Sequence, residues 1–142
     1  MDIEENKRVV LEFLDLQYAH RIAEAFELVA DDATWWMPGN LPFSGTYTKV
    51  QIQAVFEGVL DRFVAAPDMQ VLNVTAEDDR VAVEVEVEGR GKMRSGLDYF
   101  NTYHMLFRVR DGKIASCRNH QDLNHLREIT EAEADQVKAP RA

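Results

Sequence analysis

The sequence predicts an α+β fold, a curved antiparallel sheet wrapped on three N-terminal helices, and three observations carry that prediction. Apolar residues recur at helical spacing as far as Phe63. From residue 69 the apolar period switches to two. Asp111-Gly112 then sits between two alternating runs, a strong hairpin signal. Helices first and strands afterwards build a two-layer fold with the helices on one face of the sheet. Three helices cannot lie flat on a strongly twisted sheet. They leave a cone-shaped space with a loop-ringed mouth, a common setting for a small-molecule site.

The elements follow in chain order. Residues 4–30 read as two helices, with Val10, Phe13, Leu14 and Tyr18 on one stripe and Ile22, Ala25, Phe26 and Val29 on the next. Thr34-Trp35-Trp36-Met37 is a short β-prone run stopped by Pro38-Gly39, and residues 38–47 read as loop. Thr48 with Gln51 forms a capping-box pattern that opens a third helix, whose stripe is Ile52, Val55, Phe56, Val59 and Phe63. Strands are predicted at VLNVTA, at VAVEVEVE and on both sides of Asp111-Gly112. EDDR is a turn, GRGKMRSG a connection, and residues 124–138 a last helix with Thr130 and Glu133 as its cap pair.

Composition narrows the function. A chain of 142 residues with 46% hydrophobic content suits one domain, residues 1–142, with a real core. The formal charge of −9 argues against nucleic acid or anionic membrane as partner, since both need a basic footprint. Cys117, the one cysteine, makes neither an internal disulfide nor a multi-cysteine metal site. No apolar run approaches a membrane span, and MDIEENKRVV lacks a signal-peptide core, so a cytoplasmic protein is expected. No H-x-x-x-H motif or phosphate-cradling loop occurs, so neither a metal nor another cofactor is expected.

Three segments, ADDATWWMPGNLPFSGTY at 30–47, YFNTYHMLFRVRDGKI at 99–114 and RNHQD at 118–122, resemble the SnoaL-like branch of the nuclear transport factor 2-like superfamily. Ketosteroid isomerases, scytalone dehydratase and limonene epoxide hydrolase belong to the same superfamily. The resemblance implies a curved sheet around a deep apolar cavity, and usually a dimer. It does not imply one activity, because this fold hosts many chemistries.

Which side chains meet the cavity depends on the Asp111-Gly112 hairpin. A two-residue loop places Tyr103 beside His120 and turns Arg118 and Asp122 toward the helices, where an unpaired charge is costly. A three-residue loop pairs Val109 with Lys113 and Tyr103 with Asn119, burying Ala115, Cys117 and Leu123. The second register is preferred, and the resemblance agrees, since related enzymes carry a pocket-facing acid where this chain has Asn119. The same logic buries Val81, Val83, Val85 and Val87 and turns Glu84, Glu86 and Glu88 outward, opposite Arg108, Arg110 and Arg118. A bulge at Gly89 or Gly91 would instead bring Glu86 and Glu88 into the pocket, on the strand where limonene epoxide hydrolase keeps its Arg and Asp.

The ketosteroid-isomerase acid and tyrosine fall, by ungapped counting, on Met37 and Phe13, which transfer no proton and donate no hydrogen bond. Asn119 orients a water or carbonyl but is no base. The candidate pocket therefore contains Asn101, Tyr103, Asn119 and Gln121, lined by Tyr18, Trp35 or Trp36, Met37, Phe56, Met105 and Phe107. Tyr103 and Asn119 are candidates for an acid or oxyanion donor and a positioning amide. Glu86, if inward, is a candidate base, and His120 with Asp122 is a base-and-orienter pair or a surface ion pair. Cys117 reads as a small core residue. The outward-facing tryptophan reads as a homodimer contact on the outer sheet face. Two functions stay open: a cofactor-free isomerase, cyclase or hydrolase acting on a small, mostly apolar carbonyl or epoxide compound, and a non-catalytic binding or dimerisation module.

Overall fold

In a computed structural model, which describes residues 2–138, the chain runs α1 (Ile3–Tyr18), α2 (Ile22–Phe26), β1 (Val29–Met37), β2 (Gly45–Thr48), α3 (Lys49–Leu60), β3 (Asp68–Glu77), β4 (Arg80–Gly89), β5 (Tyr99–Arg110), β6 (Lys113–Gln121) and α4 (Leu123–Lys138). The six strands form one curved sheet in the order β2-β1-β6-β5-β4-β3, open at both edges. The sheet is mixed rather than wholly antiparallel, because β1 lies parallel to β6. That pairing uses strands far apart in sequence, which no local turn signal announces.

Local chemistry explains the element ends. Asp2 caps α1 by accepting from the backbone N–H of Glu5 at 3.1 Å. Thr48 and Gln51 close a reciprocal capping box on α3. His20, with φ at +61°, turns the chain between α1 and α2. The second helix stops at Phe26, so Val29 and Ala30 belong to β1, which starts five residues before the expected run. Residues 45–48 form a short edge strand inside the expected loop. Thr130 does not cap α4: it lies inside the helix, where Asp122 accepts from the His125 N–H at the true start and Glu133 pairs with Arg62.

The core sits between α1–α3 and the concave face. Trp35 is its centre, with ring centroids of Phe13, Phe56 and Phe107 at 5.5, 5.6 and 5.8 Å, in largely edge-to-face contact. Val81, Val83, Val85 and Val87 are all buried beneath the helices, as period-two burial requires.

The β5–β6 hairpin has a register of its own. The loop has two residues, Asp111 and Gly112, both with positive φ, pairing Arg110 with Lys113. A bulge at Ala115 then inserts one residue, so Phe107 faces Cys117, Met105 faces Asn119 and Tyr103 faces Gln121. The odd-numbered residues of β6 from Cys117 onward therefore point inward, but Tyr103 is not directly opposite Asn119. Ile114 is buried instead of Ala115, and Leu123 is only half-buried.

No bulge interrupts β4 against β5, whose register is continuous from Arg80–Arg108 to Gly89–Tyr99. Glu84, Glu86 and Glu88 therefore stay exposed, opposite His104, Thr102 and Phe100. The arginines expected beside them are engaged elsewhere. Arg108 meets Asp79 at 3.0 Å, Arg110 meets Asp32 at 2.6 Å, and the Arg118 guanidinium lies 3.8 Å from the centroid of the Trp36 ring.

Candidate functional site

Between the sheet and the helices lies a cavity of about 170 Å³. Its wall combines α1 (Leu14, Gln17, Tyr18), β1 (Trp35, Met37), α3 and its exit (Phe56, Leu60, Arg62, Phe63), β5 (Tyr99, Tyr103, Met105), β6 (Asn119, Gln121) and α4 (Leu126, Thr130). Tyr18, Trp35, Met37, Phe56, Tyr103, Met105 and Asn119 thus all line it. Phe107 does not, being packed against Phe13 and Trp35 in the core. Asn101 stands behind the wall and acts on the cavity through Tyr99 and Gln121, which line it.

The remaining candidates lie outside. Glu86 and Asp122 border a separate groove on the outer face, with Asp68, Glu88 and Glu128. His120 is exposed beside Trp36, at 5.2 Å between ring centroids. Among the described residues, neither a carboxylate nor an imidazole lines the inner cavity. Arg62 brings its one charged group, and that group is half-buried and paired with Glu133. Burial lowers the Arg62 pKa, more than Tyr99 nearby raises it.

The polar end of the cavity is a chain of hydrogen-bonded side chains that starts from one buried amide. Asn101 Oδ1 accepts from two backbone donors, the N–H of Thr102 at 2.8 Å and of Asp122 at 2.9 Å. That fixes the amide, so its Nδ2 donates, to the Tyr99 hydroxyl at 2.8 Å and to Gln121 Oε1 at 3.3 Å. The Tyr99 and Tyr103 hydroxyl oxygens lie 2.6 Å apart and share a hydrogen bond in which either phenol can donate. Tyr18 lies against Tyr103 on the same cavity wall, so the three hydroxyls form one cluster at its polar end. Burial pushes all three phenols above the ordinary tyrosine range, Tyr103 furthest, with the other two phenols adding to the burial effect. They are neutral donors at physiological pH.

Tyr99 did not figure among the sequence candidates. The signal that finds it is parity: it precedes Asn101 and Tyr103 by even steps on the same strand face.

Two buried polar atoms on cavity-lining residues have no hydrogen-bond partner, Trp35 Nε1 and Asn119 Oδ1. The Asn119 Nδ2 group faces Met37 Sδ at 3.6 Å, which Gln121 Nε2 also approaches at 3.9 Å. An unpaired buried polar atom costs about 1–3 kcal/mol, so each of these calls for an explanation. Cys117 is buried and its thiol is pushed well up by burial, which makes it inert as a nucleophile. No group of three or more metal-ligating side chains occurs among the described residues.

A curved open sheet packed over helices, with a mostly apolar cavity between them, defines a pocket-bearing α+β fold. The profile of the SnoaL-like domain matches residues 10–117, and the chain belongs to that family. Solved structures agree on the fold. Bal32a, from a soil-derived mobile gene cassette, is 22% identical with a TM-score of 0.77, over 89% of this chain and 96% of its own. An NTF2-like protein from Burkholderia xenovorans is 21% identical with a TM-score of 0.71, over 90% and 97%. A protein from a Jannaschia species, provisionally named a SnoaL-like polyketide cyclase, is 21% identical with a TM-score of 0.70, over 98% and 95%. No curated protein matches the chain significantly.

Proposed function

We propose that this chain, as one SnoaL-like domain spanning residues 1–142, binds a small, mostly apolar, carbonyl-bearing molecule in its inner cavity. The observation that carries the reading is the cluster of three buried, neutral phenols, Tyr18, Tyr99 and Tyr103, which sets hydroxyl donors at one end of a mostly apolar cavity. A carbonyl oxygen is the acceptor such a donor suits. Asn119 and Gln121 orient the rest of the molecule. A cavity wall without carboxylate or imidazole supports binding without proton abstraction.

A second reading, a cofactor-free isomerase or cyclase, is favoured by the same phenols. A hydrogen bond to a carbonyl strengthens as negative charge grows on its oxygen, so Tyr103 is placed to stabilise an enolate-like state. In that reading the proton acceptor comes from the substrate itself, because Glu86, His120 and Asp122 all lie outside the cavity.

The test is Tyr103→Phe. It should weaken a carbonyl ligand about two- to tenfold, the worth of one net hydrogen bond, and leave the affinity of its hydrocarbon analogue unchanged. Equal loss for both ligands would reject Tyr103 as the carbonyl donor. A homodimer through the outer sheet face belongs to the same reading, supported by Trp36 and Arg118 stacked on the face that the helices α1–α3 leave bare. So does a cytoplasmic setting, which suits the free thiol of Cys117.

A further inference from the structure

We propose that α4 is a pH-released lid on the inner cavity, held shut by the neutral imidazole of His125 and let go when that ring takes up a proton. What the lid regulates rests on reading the cavity as the binding site. Leu126 and Thr130 make α4 part of the cavity wall, so displacing the helix opens the cavity on that side. His125, one residue before Leu126, ties the helix to β5.

The state of the ring follows from its partner. The backbone N–H of Phe100 meets His125 Nε2 at 3.1 Å, and a backbone N–H can only donate. Nε2 therefore carries a lone pair, and the ring is neutral. β6 ends at Gln121, close to its pairing with Tyr103, so Phe100 lies beyond that strand and the helix supplies the acceptor instead. An imidazolium has an N–H at both nitrogens. Protonation thus removes the acceptor and sets two N–H groups against each other. Imidazole is the side chain that makes this change between about pH 8 and about pH 5.

The surroundings offer a protonated ring another place. His125 borders the outer groove together with Asp68 of β3, Glu86 and Glu88 of β4, and Asp122 and Glu128 on either side of it in the chain. Asp122 also accepts the backbone N–H of His125 at 3.2 Å. Two cations counter these carboxylates, Lys92 at 3.2 Å from Asp68 and Arg90 at 3.7 Å from Glu88, and Arg90 also stacks on Phe100. From β5 the ring meets the uncharged Tyr99 and Phe100, with centroids 5.8 and 6.3 Å away. Carboxylates outnumber cations around the groove, so an imidazolium that leaves Phe100 finds counter-charge there. The other ties of α4 to the body are few: buried Ile129, the Arg62–Glu133 pair, and Gln136 Nε2 donating to the Ser95 carbonyl at 3.2 Å. Loss of one of them is felt along the helix.

Native-state hydrogen exchange on the whole chain, expressed as protection factors at about pH 8 and about pH 5, tests this without any ligand. Protection of the Phe100 amide and of α4 should fall about two- to tenfold at the lower pH, the worth of one net hydrogen bond, while β4 and β6 keep theirs. His125→Gln, whose side-chain oxygen takes the place of Nε2 and does not titrate, should keep α4 equally protected at both values. His125→Phe should show the low-pH behaviour at both. Equal protection of wild-type α4 at the two values, a fall shared by β4 and β6, or a fall that persists in His125→Gln would each overturn the inference. These outcomes leave the carbonyl reading untouched, since the Tyr103→Phe comparison decides that separately.

Discussion

Asn101 shows how one buried amide sets the chemistry of a cavity it does not touch. Its oxygen is held by two backbone N–H groups, so only its NH₂ group remains to face Tyr99. Asn101→Asp keeps the shape but offers an acceptor in place of that donor. Tyr99 would then donate to the carboxylate, which commits Tyr103 to donate to Tyr99 and withholds its proton from a ligand. The expected outcome is the same two- to tenfold loss of carbonyl affinity as in Tyr103→Phe, roughly, with the apolar analogue unaffected; calorimetry on both variants checks it. Alkaline titration gives a second check. Because the folded pKa values of Tyr18, Tyr99 and Tyr103 lie above the unfolded value of about 10, their contribution to stability is complete below pH ~10 and is lost as the pH rises beyond it. Absorbance at the phenolate band should therefore show these three ionising only together with unfolding. At this scale the sequence was partly legible. Strand parity put Tyr103 and Asn119 on the inner face, and counting along the resemblance put Met37 there, but Asn101 was read as a pocket residue because parity distinguishes faces and not depth.

At the scale of elements, α4 and the β5–β6 hairpin divide the labour of shaping the cavity. The helix closes one side with Leu126 and Thr130 and is anchored by buried Ile129, by the Phe100 N–H donating to His125 Nε2 at 3.1 Å, and by the Arg62–Glu133 pair. Both partners of that pair are partly exposed, so Glu133→Gln should cost only about 1 kcal/mol. It should nevertheless speed amide hydrogen exchange along α4 while leaving β4–β6 protected, since it frees one helix and no strand. Uniform acceleration across the sheet would show that the pair stabilises the whole fold instead. The hairpin explains why pairing partners were less legible than faces. Asp111-Gly112 makes the tight two-residue turn, which alone would have turned Arg118 inward. The bulge at Ala115 restores an apolar inner face, and nothing in the text KIASC marks where the extra residue goes. Burial cost fixed the faces of β6, and two compensating backbone devices delivered them.

For the whole molecule, the order of helices, strands and hairpin was readable because each rests on local periodicity and turn chemistry. The cavity volume was not, since it is the residue of packing among seven elements. The sequence reads the outward tryptophan as a dimer contact, and that residue is Trp36, which lies under the Arg118 guanidinium. Sedimentation equilibrium at micromolar concentration should return a dimer. Trp36→Ala should raise its dissociation constant at least about tenfold, as loss of an aromatic anchor does, and a monomeric wild type would exclude the interface. The parallel seam between β1 and β6 reaches further, into how the chain comes to be folded at all. Its two strands are separated by more than half of the polypeptide, and every other strand of the sheet joins a neighbour in sequence. The tryptophan-bearing strand at the centre of the core can therefore take its place only after the last strand exists, which raises contact order and slows folding. On the ribosome, β1 waits with its aromatic residues unsheltered until β6 has emerged.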